Sequence, residues 1–155
     1  MSLIGTPLPA FTLSDDQGTP VTAADLQGTW TVLYAYPKDS TPGCTTEACD
    51  FRDNFARLKK AGARVYGISR DSLKSHQNFI AKQDLPFRLL SDPDKQLLAP
   101  LGAFGKKIMY GKEVEGIIRS TVLVDPKGII RAHWPKVSVK GHVEAVLEEL
   151  ARLKG

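Results

Sequence analysis

The sequence predicts an α/β protein in which a central mixed β-sheet is flanked by helices on both faces. In the first half of the chain, strand-like apolar runs alternate with helical runs, which is typical of parallel strands joined by right-handed crossovers. Residues 125–128, Asp-Pro-Lys-Gly, are a strong turn signal between two apolar runs and predict an antiparallel hairpin. An amphipathic helical segment follows, and its apolar face can cover one side of the sheet.

The first half of the chain supplies four of these elements. Residues 29–36 are rich in aromatic and β-branched residues and indicate a buried strand. A helix is predicted over residues 42–61, with apolar residues at spacings of four and three on one face. Residues 64–70 indicate a second strand, and the following helix, over residues 72–82, is predicted to have Ser72 as its N-cap.

The second half continues the sheet. A short strand is predicted near residues 87–90, and Asp92-Pro93 then starts a brief helix toward Leu101. Residues 102–116 contain four glycines and three lysines with little apolar periodicity, which predicts a loop. This loop either lines a pocket or is an ordinary mobile connection.

The last predicted elements are the hairpin and the final helix. The hairpin strands are predicted over residues 117–124 and 129–134, and the last helix begins near Ser138. Its apolar residues at helical spacing are Val139, Val143, Val146, Leu147, Leu150 and Leu153.

Length and composition favour one domain spanning residues 1–155. Hydrophobic residues make up 42% and charged residues 25% of the chain, values of an ordinary globular protein. The net charge is +4 and the basic residues are scattered, so a nucleic-acid face is a weak alternative. The first residues lack a basic region followed by an apolar run, and no apolar run approaches membrane-spanning length, so we expect a cytoplasmic protein that does not bind membranes. A leader in a longer precursor would reverse the cytoplasmic expectation.

The only two cysteines, Cys44 and Cys49, lie five positions apart, where the first predicted strand is followed by the first predicted helix. Thr41 is the predicted N-cap and Pro42 suits the first helical position, which puts Cys44 in the first turn. The positive end of the helix dipole favours an anion there, and the thiolate is the nucleophilic form of sulfur. In a reducing compartment, such cysteines are reactive or bind metal more often than they form a structural bridge.

The spacing of the two cysteines has a further consequence. On one helix, positions five apart are separated by about 8.7 Å between Cα atoms. A disulfide requires Cα atoms within about 7 Å, so a bridge between Cys44 and Cys49 needs local unwinding of the helix. The spacing therefore predicts a switch reached during a reaction cycle.

The motif around Cys44 resembles that of a known family. Pro37, Thr41 and Cys44 match the Pro-xxx-Thr-xx-Cys signature of peroxiredoxins, and Arg119 lies where that family has its active-site arginine. The position of Cys49 is similar to that in the bacterioferritin-comigratory, or Q-type, branch. This resemblance covers nearly the whole chain and implies a thioredoxin-like fold.

The resemblance also implies roles for the matched residues. Cys44 is the nucleophile that a hydroperoxide oxidises to sulfenic acid, and Cys49 resolves that acid as an intramolecular disulfide. Arg119 stabilises the thiolate and orients the peroxide. The hydroxyl of Thr41 hydrogen-bonds both the sulfur and the bound peroxide, and the backbone N–H groups of Gly43 and Cys44 point at the same oxygens. Pro37 shapes and shields the pocket.

Two further expectations concern partners and the neighbouring Glu47. Glu47 lies one turn beyond Cys44 and is a candidate for organising Arg119 or nearby backbone. The resemblance implies hydrogen peroxide or an organic hydroperoxide as substrate, thioredoxin as reductant with glutaredoxin or glutathione as alternatives, and no cofactor or metal. Relatives of this branch favour a monomer, with a weak dimer as the alternative.

Other functions remain open at this point. The cysteines could be small core residues, and Arg119 taken alone could be a structural ion-pair partner. A general dithiol-disulfide oxidoreductase is a second enzymatic interpretation, although the chain lacks a Cys-xx-Cys motif. A redox-sensing interaction module, whose output is helix unwinding, is a non-enzymatic one. Three histidines, His76, His133 and His142, are interpreted as surface or hydrogen-bonding residues, and Trp30 and Trp134 as core or core-edge residues.

Overall fold

The computed structural model describes residues 3–155 and contains nine strands. Their bounds are β1 Thr12–Asp15, β2 Pro20–Thr22, β3 Trp30–Ala35, β4 Ala63–Ser69, β5 Arg88–Ser91, β6 Phe104–Met109, β7 Lys112–Ile117, β8 Ser120–Val124 and β9 Ile130–Trp134. Seven of them form one sheet in the order β2-β1-β5-β4-β3-β8-β9, and β6 and β7 form a separate two-stranded sheet. β4 pairs in parallel with β3 and β5, whereas the other pairings are antiparallel, which confirms the predicted mixed sheet.

Within residues 3–155, four α-helices and one short 3-10 helix accompany these strands. The α-helices are α1 Pro42–Asp53, α2 Phe55–Lys60, α3 Leu73–Gln83 and α4 His142–Lys154, and the 3-10 helix is Ala24–Leu26. Ser72 is the N-cap of α3 as predicted, and its Oγ accepts a hydrogen bond from the N–H of Ser75 at 3.2 Å. Among residues 3–155, we find no helix with both the length and the apolar character needed to cross a bilayer.

The sheet separates two apolar clusters because alternate side chains of each strand point to opposite faces. On β3, Val32 and Tyr34 join one cluster, whereas Leu33 and Ala35 join the other. The first cluster contains buried residues of all four α-helices, namely Ala48, Phe51, Leu58, Phe79, Val143, Val146 and Leu150. The second is covered by the 3-10 helix, the segment before β1 and the turns of residues 97–103. Trp30 and Trp134 pack at the edge of the first cluster, as predicted.

Strand register brings the site together. β3 and β8 are antiparallel neighbours in which Ala35 pairs with Ser120. The chain that leaves β3 toward Pro37 and the chain that enters β8 from Arg119 therefore meet at one edge of the sheet. α1 begins at the same edge, which places its first turn between these two segments.

The predicted helix over residues 42–61 is interrupted at Asn54, which separates α1 from α2. The side-chain amide of Asn54 donates to the carbonyl oxygen of Asp50 at 2.8 Å, and the backbone N–H of Asn54 shares the same acceptor at 3.2 Å. An asparagine that bonds to backbone in this way competes with regular helical pairing. Both cysteines still lie on one helix, α1, as predicted.

The predicted brief helix from Asp92 toward Leu101 is wrong. This segment forms hydrogen-bonded turns, in which the Asp92 carboxylate accepts the N–H groups of Gln96, Leu97 and Leu98. Lys95 has a φ of +59°, and a left-handed residue at this point prevents a regular helix. Asp92 therefore caps a series of turns instead of a helix.

The predicted loop over residues 102–116 contains the β6–β7 hairpin. Tyr110 and Gly111 both have positive φ, 54° and 75°, which suits a tight turn between antiparallel strands. Lys106 to Ile108 face a pocket, so the pocket-lining alternative for this segment is the one observed. The Tyr-Gly pair was the available signal for the turn, but the strands around it lack a buried face and therefore lack apolar alternation.

Three smaller differences concern element ends. The last helix begins at His142 instead of near Ser138, after Gly141 with a φ of +75°. The predicted strand over residues 117–124 begins only at Ser120, because residues 118 and 119 separate it from β7. Sequence analysis did not identify β1, β2 or the 3-10 helix.

Candidate active site

Cys44 lies in the first turn of α1, and its burial is almost complete at 1% exposure. Pro42 occupies the first helical position as predicted, and the helical hydrogen bonds begin with the N–H of Thr45 on the carbonyl of Thr41 at 2.8 Å. The N–H groups of Gly43 and Cys44 precede that bond, in the turn where an α-helix provides no internal acceptor. The first turn therefore offers backbone donors beside the sulfur.

Arg119 contacts the sulfur of Cys44. Its Nη2 donates to Cys44 Sγ at 3.3 Å, and its Nη1 donates to Glu47 Oε1 at 2.6 Å. A guanidinium can hold both partners at once because its donors form a planar fork. Burial lowers the pKa of Arg119, but the charges of Glu47 and Cys44 outweigh this effect and the pKa is raised. The guanidinium is therefore a permanent cation at the sulfur.

Glu47 lies one helical turn after Cys44 on the same side of α1, and its side chain is 1% exposed. Burial raises the pKa of Glu47 to about 7, although the charge of Arg119 and its hydrogen bond oppose that rise. Oε2 of Glu47 is buried and has no hydrogen-bond partner among the described residues. Near neutral pH this carboxyl group changes protonation state while in contact with Arg119.

Thr41 occupies the N-cap position with extended backbone, but its side chain does not cap the helix. Its hydroxyl donates to the carbonyl oxygen of Lys38 at 2.8 Å. The predicted hydrogen bond from this hydroxyl to the Cys44 sulfur is not among the contacts of residues 3–155. The proton of Thr41 is thus turned toward the segment that precedes the helix, and its oxygen is left to accept.

Gly43 leaves space for the arginine. A Cβ atom at Gly43 would lie 3.2 Å from Arg119 Nη2, closer than most real Cβ contacts. Its φ is not in the left-handed region, so space and not backbone conformation favours glycine at this position. The predicted set of Cys44, Gly43 and Arg119 is therefore brought together.

Cys49 has different surroundings at the other end of the same helix. It is half-buried, and its thiol donates to Gln83 Oε1 on α3 at 3.5 Å. Arg52 fixes the same part of α3, because its Nη1 donates to the carbonyl oxygen of Gln83 at 2.8 Å. Both Cys44 and Cys49 are free thiols in this structure.

A cavity of about 430 Å³ opens beside the cysteine–arginine pair, and Pro37 and Arg119 lie in its wall. Apolar and cationic side chains share the rest of the lining, which comprises Lys106, Lys107, Ile108, Ile117, Ile118, Lys136 and Val137. Sequence analysis missed the contribution of residues 136 and 137, because they carry no motif. The cavity gives a small ligand access to the guanidinium that holds the sulfur.

None of the histidines contacts the sulfur of Cys44 among the described residues. His142 Nε2 pairs with the hydroxyl of Thr121 at 2.8 Å, and burial, assisted by the charge of Arg119, lowers the pKa of His142 to about 4. His76 is fully buried and hydrogen-bonded to Asp39 and to the carbonyl of Leu90. The expectation that these two are hydrogen-bonding residues is confirmed.

One group of side chains could offer metal ligands. Atoms of Asp39, Asp71 and His76 lie within 4.8 Å of one another, and no cysteine belongs to this group. The same atoms are engaged in hydrogen bonds, including a 2.7 Å contact between Asp39 Oδ2 and His76 Nδ1. We therefore treat the group as a polar network, which sequence analysis did not identify because its members are far apart in the chain.

Fold and site together define a thiol-based redox protein with a thioredoxin-like fold, in which a cysteine at a helix start is held by an arginine. Residues 4–133 match the model of the AhpC/TSA family. The chain belongs to this family and is a peroxiredoxin.

Relatives of the chain carry the same assignment over nearly their whole length. A protein of Coxiella burnetii named a putative peroxiredoxin bcp is 50% identical over 147 residues, which cover 95% of this chain and 97% of that protein. Peroxiredoxin Bcp of Bacillus subtilis is 44% identical over 147 residues, covering 95% of this chain and 94% of that protein.

Solved structures agree with this assignment. Peroxiredoxin Q of Xanthomonas campestris superimposes with a TM-score of 0.87 at 49% identity, covering 92% of this chain and 90% of that one. A cysteine variant of the Xylella fastidiosa PrxQ gives a TM-score of 0.91 at 40% identity, covering 98% and 97%. The predicted thioredoxin-like peroxiredoxin fold is confirmed.

Proposed function

We propose that this chain is a one-domain thiol peroxidase in which Cys44 attacks a hydroperoxide and Cys49 resolves the product. The observation that carries the proposal is the 3.3 Å contact between Arg119 Nη2 and Cys44 Sγ in the first turn of α1. A cation beside the sulfur and a helix N-terminus beneath it both favour the thiolate. Peroxide reduction needs this thiolate and, in addition, donors for the oxygen that leaves.

In the first step, the Cys44 thiolate attacks one peroxide oxygen. The S–O bond forms, the O–O bond breaks, and the leaving oxygen carries the electron pair and takes a proton to become water or an alcohol. Arg119 and the N–H groups of Gly43 and Cys44 surround this position and can stabilise the developing negative charge. The hydroxyl oxygen of Thr41 is available to accept a hydrogen bond from the peroxide. Pro37 forms part of the pocket wall and shields the sulfur from water.

In the second step, the sulfenic acid of Cys44 condenses with the thiol of Cys49. A disulfide forms and water leaves. Because both residues lie on α1, where positions five apart are separated by about 8.7 Å, part of the helix must unwind first. The weak 3.5 Å contact of Cys49 with Gln83 Oε1 is a small obstacle to this movement.

The role proposed for Cys49 rests on this chain's own geometry. The cysteines replaced in two Xanthomonas campestris variants are much farther apart in that sequence than the pair here. In this chain, Cys49 is the single other cysteine. An intramolecular disulfide can therefore form only between Cys44 and Cys49.

The proposed substrate class rests on the cavity and on a relative of this chain. A cavity of about 430 Å³ with isoleucine and valine side chains accommodates an alkyl group as well as hydrogen peroxide. The Xanthomonas campestris bacterioferritin comigratory protein, 48% identical to this chain, is described as having alkyl peroxide reduction activity. We extend this to organic hydroperoxides for the present chain.

An external reductant, either one dithiol or two molecules of a monothiol, completes the cycle by thiol-disulfide exchange, which returns both cysteines to thiols and leaves the reductant as a disulfide. Thioredoxin is the proposed reductant, with glutaredoxin or glutathione as alternatives. A monomer suffices for this cycle, since Cys44, Cys49 and Arg119 belong to one chain. The proposed location is the cytoplasm, and no cofactor or metal takes part in the proposed cycle.

Stopped-flow mixing with peroxide, followed by intact-mass analysis, tests the proposal. The wild-type protein should consume peroxide rapidly and then acquire a Cys44–Cys49 disulfide. The Cys44→Ser variant should neither react nor turn over with thioredoxin, whereas a Cys44→Ser protein that retains turnover would rule the mechanism out. Insulin reduction without peroxide consumption would instead favour a general dithiol-disulfide oxidoreductase.

A further inference from the structure

A buried polar network contacts the segment that leads into α1. The mechanism above does not use this network. Its centre is Asp39, in the connection between β3 and α1, whose side chain is 2% exposed. Asp39 Oδ1 accepts from the Tyr36 hydroxyl at 2.5 Å, and Oδ2 accepts from the Ser75 hydroxyl at 2.8 Å. His76 Nδ1 lies 2.7 Å from the same Oδ2, and its ring is 0% exposed.

The network fixes Asp39 to α3 and to the sheet at once. Ser75 and His76 are on α3, and His76 Nε2 reaches the carbonyl oxygen of Leu90 on β5 at 3.0 Å. The backbone N–H of Asp39 donates to Asp71 Oδ2 at 2.9 Å, between β4 and α3. Buried groups with this many charged hydrogen bonds are costly to disrupt, so the connection is clamped at Asp39.

The next residue, Ser40, is held in an uncommon conformation. Its φ is +61°, in the left-handed region that a non-glycine residue adopts at some cost. Such a residue persists only where its surroundings determine the chain path. The clamp at Asp39 precedes it, and the helix start at Thr41 and Pro42 follows it.

We propose that Asp39 and His76 are positioning residues of the peroxidase site, which clamp residues 36–41 to α3 and thereby hold the first turn of α1 against Arg119. The proposal depends on the proposed function. When α1 unwinds, the clamp keeps the chain up to Asp39 in place. Pro37 therefore stays in the pocket wall, and the helix can form again at the same position. Without the clamp, Ser40 relaxes to negative φ and Cys44 leaves Arg119 more often.

The expected signature is a separation of the two steps of the cycle. Oxidation of Cys44 needs the folded first turn, so its rate constant falls with the population of that state. Disulfide formation needs the unwound state, so it does not slow. Loss of one buried charged hydrogen bond shifts such an equilibrium by roughly tenfold.

The test is single-turnover reaction of Asp39→Asn with hydrogen peroxide, with both steps followed by rapid quench and mass spectrometry. We expect oxidation of Cys44 to slow, by at most about tenfold because its rate follows the folded fraction, while disulfide formation keeps or exceeds its wild-type rate. Asp16→Asn is the matched control. Asp16 is likewise a buried acidic residue, whose Oδ2 accepts from Arg88 Nη1 at 2.8 Å, and neither residue belongs to the network or the site. This variant should lose stability and keep both rates.

A second pair of variants keeps the proposal testable if Asp39→Asn folds poorly. His76→Asn retains a donor toward Asp39, and His76→Leu keeps bulk without a donor. Oxidation should be slow in His76→Leu and restored toward the wild-type rate in His76→Asn. The proposal would be overturned if Cys44 were oxidised at the wild-type rate in Asp39→Asn. It would also be overturned if Asp39→Asn and Asp16→Asn slowed both steps to the same extent. A wild-type protein inert to peroxide would refute the proposed function instead.

Discussion

Cys44 and Cys49 lie on the same helix, but their surroundings have almost nothing in common. Cys44 is buried in the first turn of α1, and its sulfur accepts from the permanent cation of Arg119. Cys49 is half-buried farther along the helix, and its thiol donates to the neutral amide oxygen of Gln83. One sulfur therefore lies against a cation, whereas the other lies against a neutral acceptor.

This difference explains why one helix can carry both halves of a redox cycle. In the proposed cycle, a thiolate is the nucleophile toward peroxide, and only Cys44 has both a helix start and Arg119 beside it, two features that favour this form. Cys49 has neither a helix start nor a cation beside its sulfur, so in the proposed cycle it reacts only after Cys44 is oxidised. The 3.5 Å contact that holds Cys49 is longer than a strong hydrogen bond, which lets this part of the site move at little cost.

The largest expected effect comes from removing the thiol of Cys49, the proposed resolving residue. Cys49→Ser should react with one equivalent of peroxide at about the wild-type rate, because Cys44 and Arg119 are untouched. Turnover with thioredoxin should then cease, since no intramolecular disulfide can form. Rapid-quench kinetics with intact-mass analysis measure the first step, and a coupled reductase assay measures the second. Full turnover of Cys49→Ser would show that the two cysteines do not divide the work in this way.

Removing the cation tests the other half of the comparison. Arg119→Met keeps an unbranched side chain but no donor, and we expect the rate constant for Cys44 oxidation to fall by about 10²–10³, as when a preorganised charge-stabilising donor is lost. The buried Glu47 tolerates this change because its carboxyl group can take up a proton. Stopped-flow measurement at several peroxide concentrations gives the rate constant.

Arg88→Met is the control for the Arg119 variant. Arg88 is also a partly buried arginine paired with a buried acid, Asp16, at 2.8 Å. It should lose stability without slowing Cys44 oxidation. Equal rates in the two methionine variants would mean that Arg119 acts only as a structural ion-pair partner.

The third prediction concerns pH, through Glu47. Its carboxyl group ionises near 4.5 in an unfolded chain and at about 7 in the folded protein, because burial outweighs the attraction of Arg119. Between these values the native state binds more protons than the unfolded state, so the free energy of unfolding falls as pH rises through this window. Glu47→Gln lacks this contribution. The difference in unfolding free energy between the wild type and the variant should therefore change by roughly 3 kcal/mol across it.

Urea denaturation of both proteins at a series of pH values, with thiols kept reduced, measures that difference. A gap between wild type and Glu47→Gln that stays constant from pH 4.5 to pH 8 would contradict the prediction. In that case the carboxyl group would be ionised throughout, as a fully compensated partner of Arg119.

Much of the sheet was predictable because its central strands are buried on both faces and carry continuous apolar runs. The regions that were not predictable have weaker burial or unusual backbone. The β6–β7 hairpin projects exposed side chains such as Ile108 and Tyr110, so its strands lack an apolar period. The segment after Asp92 carries a helix-start signal, but Lys95 in the left-handed region changes the chain path. No sequence pattern indicates a positive φ at a lysine.

The site shows the same limit. Cys44 and Thr41 are identified by local pattern, and Pro37 and Arg119 by resemblance, but the contact between Arg119 and Glu47 depends on the pairing of β3 with β8. The network around Asp39 joins residues from four separate segments, and a single sequence contains no signal for such a meeting. Thr41 is at the predicted N-cap position, yet its side chain makes no cap hydrogen bond and its hydroxyl donates to the carbonyl oxygen of Lys38 at 2.8 Å, a contact that no sequence pattern indicated.

The smallest expected effect is also the most specific test of the cysteine–arginine contact. A methyl group at Gly43 would lie 3.2 Å from Arg119 Nη2, the atom that donates to Cys44 Sγ. Gly43→Ala should therefore displace the guanidinium by a few tenths of an ångström and slow Cys44 oxidation by about threefold, a modest weakening of one charged hydrogen bond. Alanine also suits a helix better than glycine, so the free energy of unfolding should rise by about 0.5 kcal/mol. A variant that is both more stable and slower separates positioning of the cation from general damage to the fold, whereas an unchanged oxidation rate would show that the reaction tolerates a displaced Arg119.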